Sequence, residues 1–207
     1  MPTILITGTS RGLGLEFVRQ YAASGWTILA CARQPSGSTE LMTVAAANPQ
    51  RVRLLALDVE DHAAIERTAH ELEGTPIDVL LNSAGIMGNG SFATEGIAFG
   101  RFGQSDFADW ERVFRVNVIA PMKMAEAFVG HVASSDQKKI VTLTSMLGSV
   151  ALNRVGWWDR PVPLATAIHW NSCRPTRQSH RQVPALSTPR RWADQPAAWL
   201  GSTSVAT

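Results

Sequence analysis

The feature that most constrains this chain lies in its first fourteen residues. A short apolar run of strand type, Thr3-Ile4-Leu5-Ile6, is followed at once by Thr7-Gly8-Thr9-Ser10-Arg11-Gly12-Leu13-Gly14. From Leu13 the spacing turns helical: Leu13, Phe17, Val18 and Tyr21 share a face, and Gly25 is placed to cap the C-terminus. Such a strand, glycine-rich turn and helix bring backbone N–H groups and the positive end of a helix dipole to one place, which suits a pyrophosphate. The glycine spacing alone fits an ordinary βα turn equally well. The strand before it and the helix after it carry the nucleotide reading.

The alternation continues. Residues 26–32, 52–57, 77–81 and 139–144 read as further buried strands. Asp61 can N-cap a helix whose Ile65, Ala69 and Leu72 share a face. Residues 86–105 read as a long glycine-containing loop, followed by a helix with Trp110, Val113, Phe114 and Asn117 at helical spacing. Continuously apolar strands alternating with helices predict a doubly wound, Rossmann-like α/β domain with a parallel sheet over residues 1–156, incomplete after the fifth strand. Ligands of such sheets bind beyond the carboxyl ends of the strands, where Gly8, Asp58, Asn82 and Ser145 all fall.

Composition breaks after Gly156. Residues 1–156 carry thirteen Lys and Arg against fifteen Asp and Glu, whereas 157–207 carry six Arg and no Lys against two Asp. That stretch also holds five of the seven Trp and six of the eleven Pro, with one Gly. It is expected to form a poorly ordered tail. The overall charge of +2 does not argue for nucleic acid, and no apolar run is long enough for a membrane span. Cys31 and Cys173 give neither a disulfide framework nor metal-ligand spacing. With a first strand starting at Thr3, no signal peptide is expected, and a cytoplasmic location follows as an expectation.

The string from Thr7 to Gly14 resembles the Thr-Gly-x-x-x-Gly-x-Gly fingerprint of the short-chain dehydrogenase/reductases. Asp58 matches that family's acid that bonds the adenine amino group, with Val59 beside it. Asn82-Ser83-Ala84-Gly85 is similar to its Asn-Asn-Ala-Gly motif, with Ser for the second Asn. Asn117 falls where the family keeps a helical active-site Asn, and Ser145 matches its catalytic Ser. The pattern of Gly148, Ser149 and Asn153 looks most like the carbonyl-reductase-like branch that includes C-factor and sniffer proteins. The resemblance implies a cofactor site of Gly8, Ser10, Arg11, Gly12, Leu13, Gly14, Arg33, Asp58, Val59, Asn82, Ala84 and Gly85, with Asn117 and Ser145 as the catalytic remnant. It implies a small carbonyl or alcohol substrate and a homo-oligomer.

The second strand ends Ala30-Cys31-Ala32-Arg33, without the carboxylate that would bond a ribose 2′-hydroxyl. Arg33, with Arg11 in the glycine-rich turn, can instead pair with a 2′-phosphate, so NADP(H) is expected over NAD(H). The family's proton donor, a Tyr followed four residues later by a Lys, is missing. The only Tyr is Tyr21, and the lysines, Lys123, Lys138 and Lys139, all precede Ser145.

A reading-frame shift near Gly156 accounts for this. Read one base on, the codons allowed for residues 191–201 permit Val-Gly-Leu-Ile-Ser-Leu-Gln-Pro-Gly-Trp-Val, similar to the Pro-Gly stretch after the family's sixth strand. The same frame permits a Tyr at Val162, without the Lys. A divergent C-terminal segment and a natural truncation stay open beside it, as does a non-catalytic nucleotide-binding or interaction protein beside an impaired enzyme.

Overall fold

Strand β1 (Thr3–Thr7) reads as unbroken apolar sequence because both of its faces are covered. In the computed structural model, which describes residues 1–88 and 106–144, Ile4 and Ile6 pack to one side of the sheet and Leu5 to the other. The chain runs β1, α1 (Gly12–Ala23), β2 (Thr27–Ala32), a 3₁₀ turn (Pro35–Gly37), α2 (Thr39–Ala47), β3 (Val52–Ala56), α3 (His62–Glu71) and β4 (Val79–Asn82). After residues 89–105, outside the described part, come α4 (Phe107–Phe114), a π-helical turn (Arg115–Ile119), α5 (Ala120–Ala133) and β5 (Lys139–Thr142).

All pairings are parallel, in the order β3-β2-β1-β4-β5. One core joins Ile4, Ile6, Ile28 and Leu81 to Leu15 and Val18 of α1 and Leu41 of α2. The other joins Leu5, Leu29, Leu55 and Leu80 to Ile65 of α3 and Met124 and Phe128 of α5. Cys31 lies in this second core, and burial pushes its thiol up to about 12, which leaves it a small apolar filler. Successive strands step from β1 to β3 in one direction, and the chain then crosses to β4 on the far side of β1. This doubly wound parallel sheet has its topological switch point between β1 and β4, at the carboxyl ends that carry Gly8 and Asn82.

Helix α1 ends where Gly25 predicts. The Gly25 N–H donates to the Ala22 carbonyl (3.1 Å) and the Trp26 N–H to the Tyr21 carbonyl (3.0 Å), the paired bonds of a Schellman cap. The Tyr21 ring meets Trp26 edge-on at 4.9 Å, and burial raises the phenol's pKa. The chain's only Tyr is thus a cap and core residue. Asp61 caps α3 as expected, its carboxylate accepting from the Ala64 N–H at 3.0 Å.

Several strand ends shift by one or two residues: the first extends to Thr7 and the second starts at Thr27. The fourth strand starts at Val79, because the Ile77 N–H is taken by the His131 carbonyl (3.0 Å), and it includes Asn82. The third and fifth stop at Ala56 and Thr142. Helix α2 has no counterpart among the sequence expectations; its Ser38 cap is the signal that identifies it.

The opposite, amino end of the sheet is held by Asp78. Its buried carboxylate accepts from the Thr3 N–H (2.8 Å) and the Gln137 N–H (3.2 Å). Its backbone N–H donates to the Thr3 carbonyl (2.9 Å), and its carbonyl accepts from Lys139 N–H (3.0 Å). One residue therefore aligns the starts of β1, β4 and β5. Asp78→Ala is expected to cost roughly 2–3 kcal/mol, as two charge-assisted bonds vanish and their donors lose partners. Urea denaturation measures this, and an unchanged midpoint would show that the carboxylate aligns nothing.

Candidate functional site

The site is built where three stretches of backbone meet. Gly8 has a φ of +73°, and a Cβ there would lie 2.7 Å from the Cα of Ala84 and 2.9 Å from its nitrogen. A Cβ on Gly14 would collide with the Gly8 carbonyl. Glycine at both positions lets α1 start against the end of β1, and lets β1 touch the segment after β4. Beside this contact the Thr7 hydroxyl accepts from the Ser83 N–H (3.1 Å) and the Ala84 N–H (3.0 Å). It thereby fastens Asn82-Ser83-Ala84-Gly85 to the glycine-rich turn. Thr7 heads the string read from the sequence, but this second bonding role gives no signal in the sequence.

The turn is also tied toward β2. Thr9, fully buried, donates to the Cys31 carbonyl from both its N–H (3.1 Å) and its hydroxyl (3.0 Å). Gly12 is left open, with a φ of +59° and no atom within 4 Å of where a Cβ would stand. No side chain caps the start of α1, and its first turn carries no acid. The first N–H groups of a helix need an outside partner, and this end lacks a built-in one among the described residues. These observations fit an anion such as a pyrophosphate over Ser10, Gly12, Leu13 and Gly14. Arg11 and Arg33 are both exposed and form no ion pair among the described residues.

Asp58 follows β3 and closes a turn, its Oδ1 accepting from the Glu60 N–H at 3.0 Å. Val59 is buried with Val116 and Ala120, and Ala84 and Ile86 pack against the same cluster. Only its backbone is therefore available to a ligand. Asn82 is buried, its Nδ2 3.5 Å from both the Pro121 carbonyl and the Thr142 hydroxyl, and its Oδ1 has no partner among the described residues.

Asn117 sits in the π turn. Its Oδ1 accepts from the Ile86 N–H (3.0 Å) and its Nδ2 donates to the Ile86 carbonyl (2.9 Å). The amide thus stands in for a strand neighbour and fixes the chain just past Gly85. The turn has a local cause: Pro121 lacks an N–H and its ring would clash with the carbonyl four residues back, that of Asn117 itself. Widening the helix there relieves both problems. Leu143 N–H donates to the Asn82 carbonyl (3.0 Å), which brings the chain to the same edge, and Ser145 lies outside the described residues. So do residues 157–207 and the expected loop beyond Gly88. Among the described residues no helix is long and apolar enough to cross a membrane, and no cluster of metal ligands occurs.

A doubly wound sheet with a glycine-rich first turn at its switch point defines a dinucleotide-binding protein. The short chain dehydrogenase family model matches residues 2–157, and the chain belongs to this family. It is 30% identical over 158 residues to the ketoacyl reductase HetN of Nostoc sp., covering 74% of this chain and 51% of that protein. It is 30% identical over 149 residues to the NADPH-dependent pterin aldehyde reductase of Arabidopsis thaliana, covering 70% of this chain and 57% of that one. Among solved structures, a carbonyl reductase from Pseudomonas aeruginosa in complex with NADP superposes with a TM-score of 0.69 at 26% identity, over 83% of this chain and 73% of that one. The chain spans about half the length of the curated relatives it matches.

Asn117→Ala is expected to cost roughly 1–3 kcal/mol, because both Ile86 backbone groups lose their partner. Hydrogen exchange at Ile86 should accelerate with it. Unaltered protection there would show that the amide does not hold this segment.

Proposed function

We propose that this chain carries the cofactor half of an NADP(H)-dependent oxidoreductase for a small carbonyl or alcohol substrate, and that as written it binds the cofactor with turnover at or near background. The observation that carries the cofactor choice is the pair of exposed arginines, Arg11 and Arg33, which form no ion pair among the described residues, with no carboxylate at the end of β2. Guanidinium groups complement a 2′-phosphate, whereas a carboxylate there would complement a bare ribose. The NADP-bound carbonyl reductase and the NADPH-dependent pterin aldehyde reductase among the relatives support the same choice.

In this reading Gly8, Ser10, Gly12, Leu13 and Gly14 hold the pyrophosphate. Arg33 and Arg11 hold the 2′-phosphate, and Asp58 with the Val59 backbone holds the adenine. Asn82, Ala84 and Gly85 line the floor toward the nicotinamide. When bound, the cofactor supplies or accepts a hydride. Asn117 keeps the floor in place, and Ser145 orients the substrate oxygen by a hydrogen bond. Neither can move the proton that must accompany the hydride. Tyr21, the only phenol, is committed to the α1 cap, and no Lys follows Ser145.

NADPH should therefore bind more tightly than NADH in a fluorescence titration, and Arg33→Asp should reverse the order. Equal affinities, or tighter NADH binding by the wild-type chain, would sink the assignment.

Over a panel of aldehydes and ketones the chain should show background reduction. Grafting the family's Tyr-x-x-x-Lys segment after Ser145 should raise the rate by about 10²–10⁴, the usual worth of positioned acid–base catalysis. Ser145→Ala should remove most of that gain. Robust turnover by the ungrafted chain would mean that another group carries the proton. Cofactor binding without turnover, together with a defined protein partner, would favour a non-catalytic role.

A further inference from the structure

The two arginines of the proposed 2′-phosphate site come from different segments. Arg11 belongs to the turn before α1, and Arg33 follows β2 and leads into the 3₁₀ turn and α2. Their side chains form no hydrogen bond or ion pair among the described residues, so their relative placement depends on what joins the two segments. Thr9 joins them at the buried end through the Cys31 carbonyl. At the exposed end one side chain does so. The Ser38 hydroxyl donates to the Ser10 carbonyl at 2.6 Å and accepts from the Leu41 N–H at 3.3 Å as the N-cap of α2.

This bond has a directional consequence. The Ser10 carbonyl and the Arg11 N–H belong to one planar trans peptide, so they point in opposite directions. Drawing the carbonyl toward Ser38 turns the Arg11 N–H away from α2 and fixes the peptide from which Arg11 departs. The same hydroxyl fixes the start of α2, and so limits where the five residues from Arg33 to Gly37 can run. A second tie reinforces the alignment: Arg19 of α1 pairs with Glu40 in the first turn of α2 at 2.7 Å.

We propose that Ser38 is a positioning residue for 2′-phosphate recognition, locking the Arg11 turn to the Arg33 segment so that both guanidinium groups face one phosphate. The role rests on the NADP(H) reading above. Ser38 itself need not touch the cofactor. It converts two flexible charges into a preformed pair, which lowers the ordering cost of binding.

The test compares two probes on the full chain by calorimetry: 2′,5′-ADP, which carries the 2′-phosphate, and 5′-AMP, which lacks it. Ser38→Ala should weaken 2′,5′-ADP binding about five- to tenfold, the worth of one lost hydrogen bond, and shift 5′-AMP less than about twofold. Ser38→Thr, which keeps the hydroxyl, should restore the preference. Ser38→Gly provides the same test with the α2 cap nearly intact, since glycine costs little at an N-cap. It also serves if the alanine variant folds poorly. A merely structural role would weaken both probes together, and that result overturns the proposal, as does a preference left intact by Ser38→Gly. A wild-type chain that binds the two probes equally overturns the NADP(H) reading and this role with it. A wild-type preference abolished by Arg33→Asp but untouched at Ser38 overturns this role alone.

Discussion

The site depends on how closely three pieces of main chain approach one another at the switch point of the sheet. Gly14 stands against the Gly8 carbonyl, and Gly8 stands against Ala84. No side chain fits between them. Because β1 is central, this contact sets the start of α1, the floor after β4 and the gap between them at once. The Thr7 hydroxyl then holds by hydrogen bonds what the glycines permit by absence of bulk. Enlarging either glycine would push α1 or the segment after β4 away from β1, the strand that both cores share, so the cost would spread well beyond the turn.

Much of this was legible in the sequence because buried parallel strands advertise themselves as apolar runs and their ends carry chemistry. The five strands, the Gly25 cap and the Asp61 cap follow from local patterns in residues next to one another. The parts that were not legible depend on long-range partners. Thr7 to Ala84, Ser38 to Ser10 and Asn117 to Ile86 are separated by 77, 28 and 31 residues. Helix α2 escaped notice because most of its residues are exposed or half-buried and only Leu41 is buried, so it lacks a broad apolar stripe. The family resemblance supplied roles for Asp58, Asn82 and Asn117, and the structure supplies the partners through which their side chains are placed.

The two tasks in the proposed reading are distributed differently over the chain. The proposed cofactor contacts spread over backbone amides, glycines and a few polar side chains between Gly8 and Gly85. The proton transfer that the family resemblance implies rests on a phenol and an ammonium, and neither occurs after Ser145 in this sequence. The first is assembled from many small contributions, and the second rests on two groups.

The π turn between α4 and α5 has a consequence for how this helix tolerates length changes. An extra residue in a regular helix turns everything downstream by about 100°, whereas a π turn takes the residue up locally and leaves the downstream phase nearly unchanged. Upstream of it Val113 faces the interior, and downstream Met124, Phe128 and Val132 do. With Pro121 replaced so that a regular helix can close, deleting a single residue between Arg115 and Ile119 would therefore leave the second half facing the sheet as before. An extra residue in the regular turns just before Met124 would instead swing Met124 and Phe128 out of the core. The helix works like a screw with one wide thread, and the wide thread absorbs length without turning its far half.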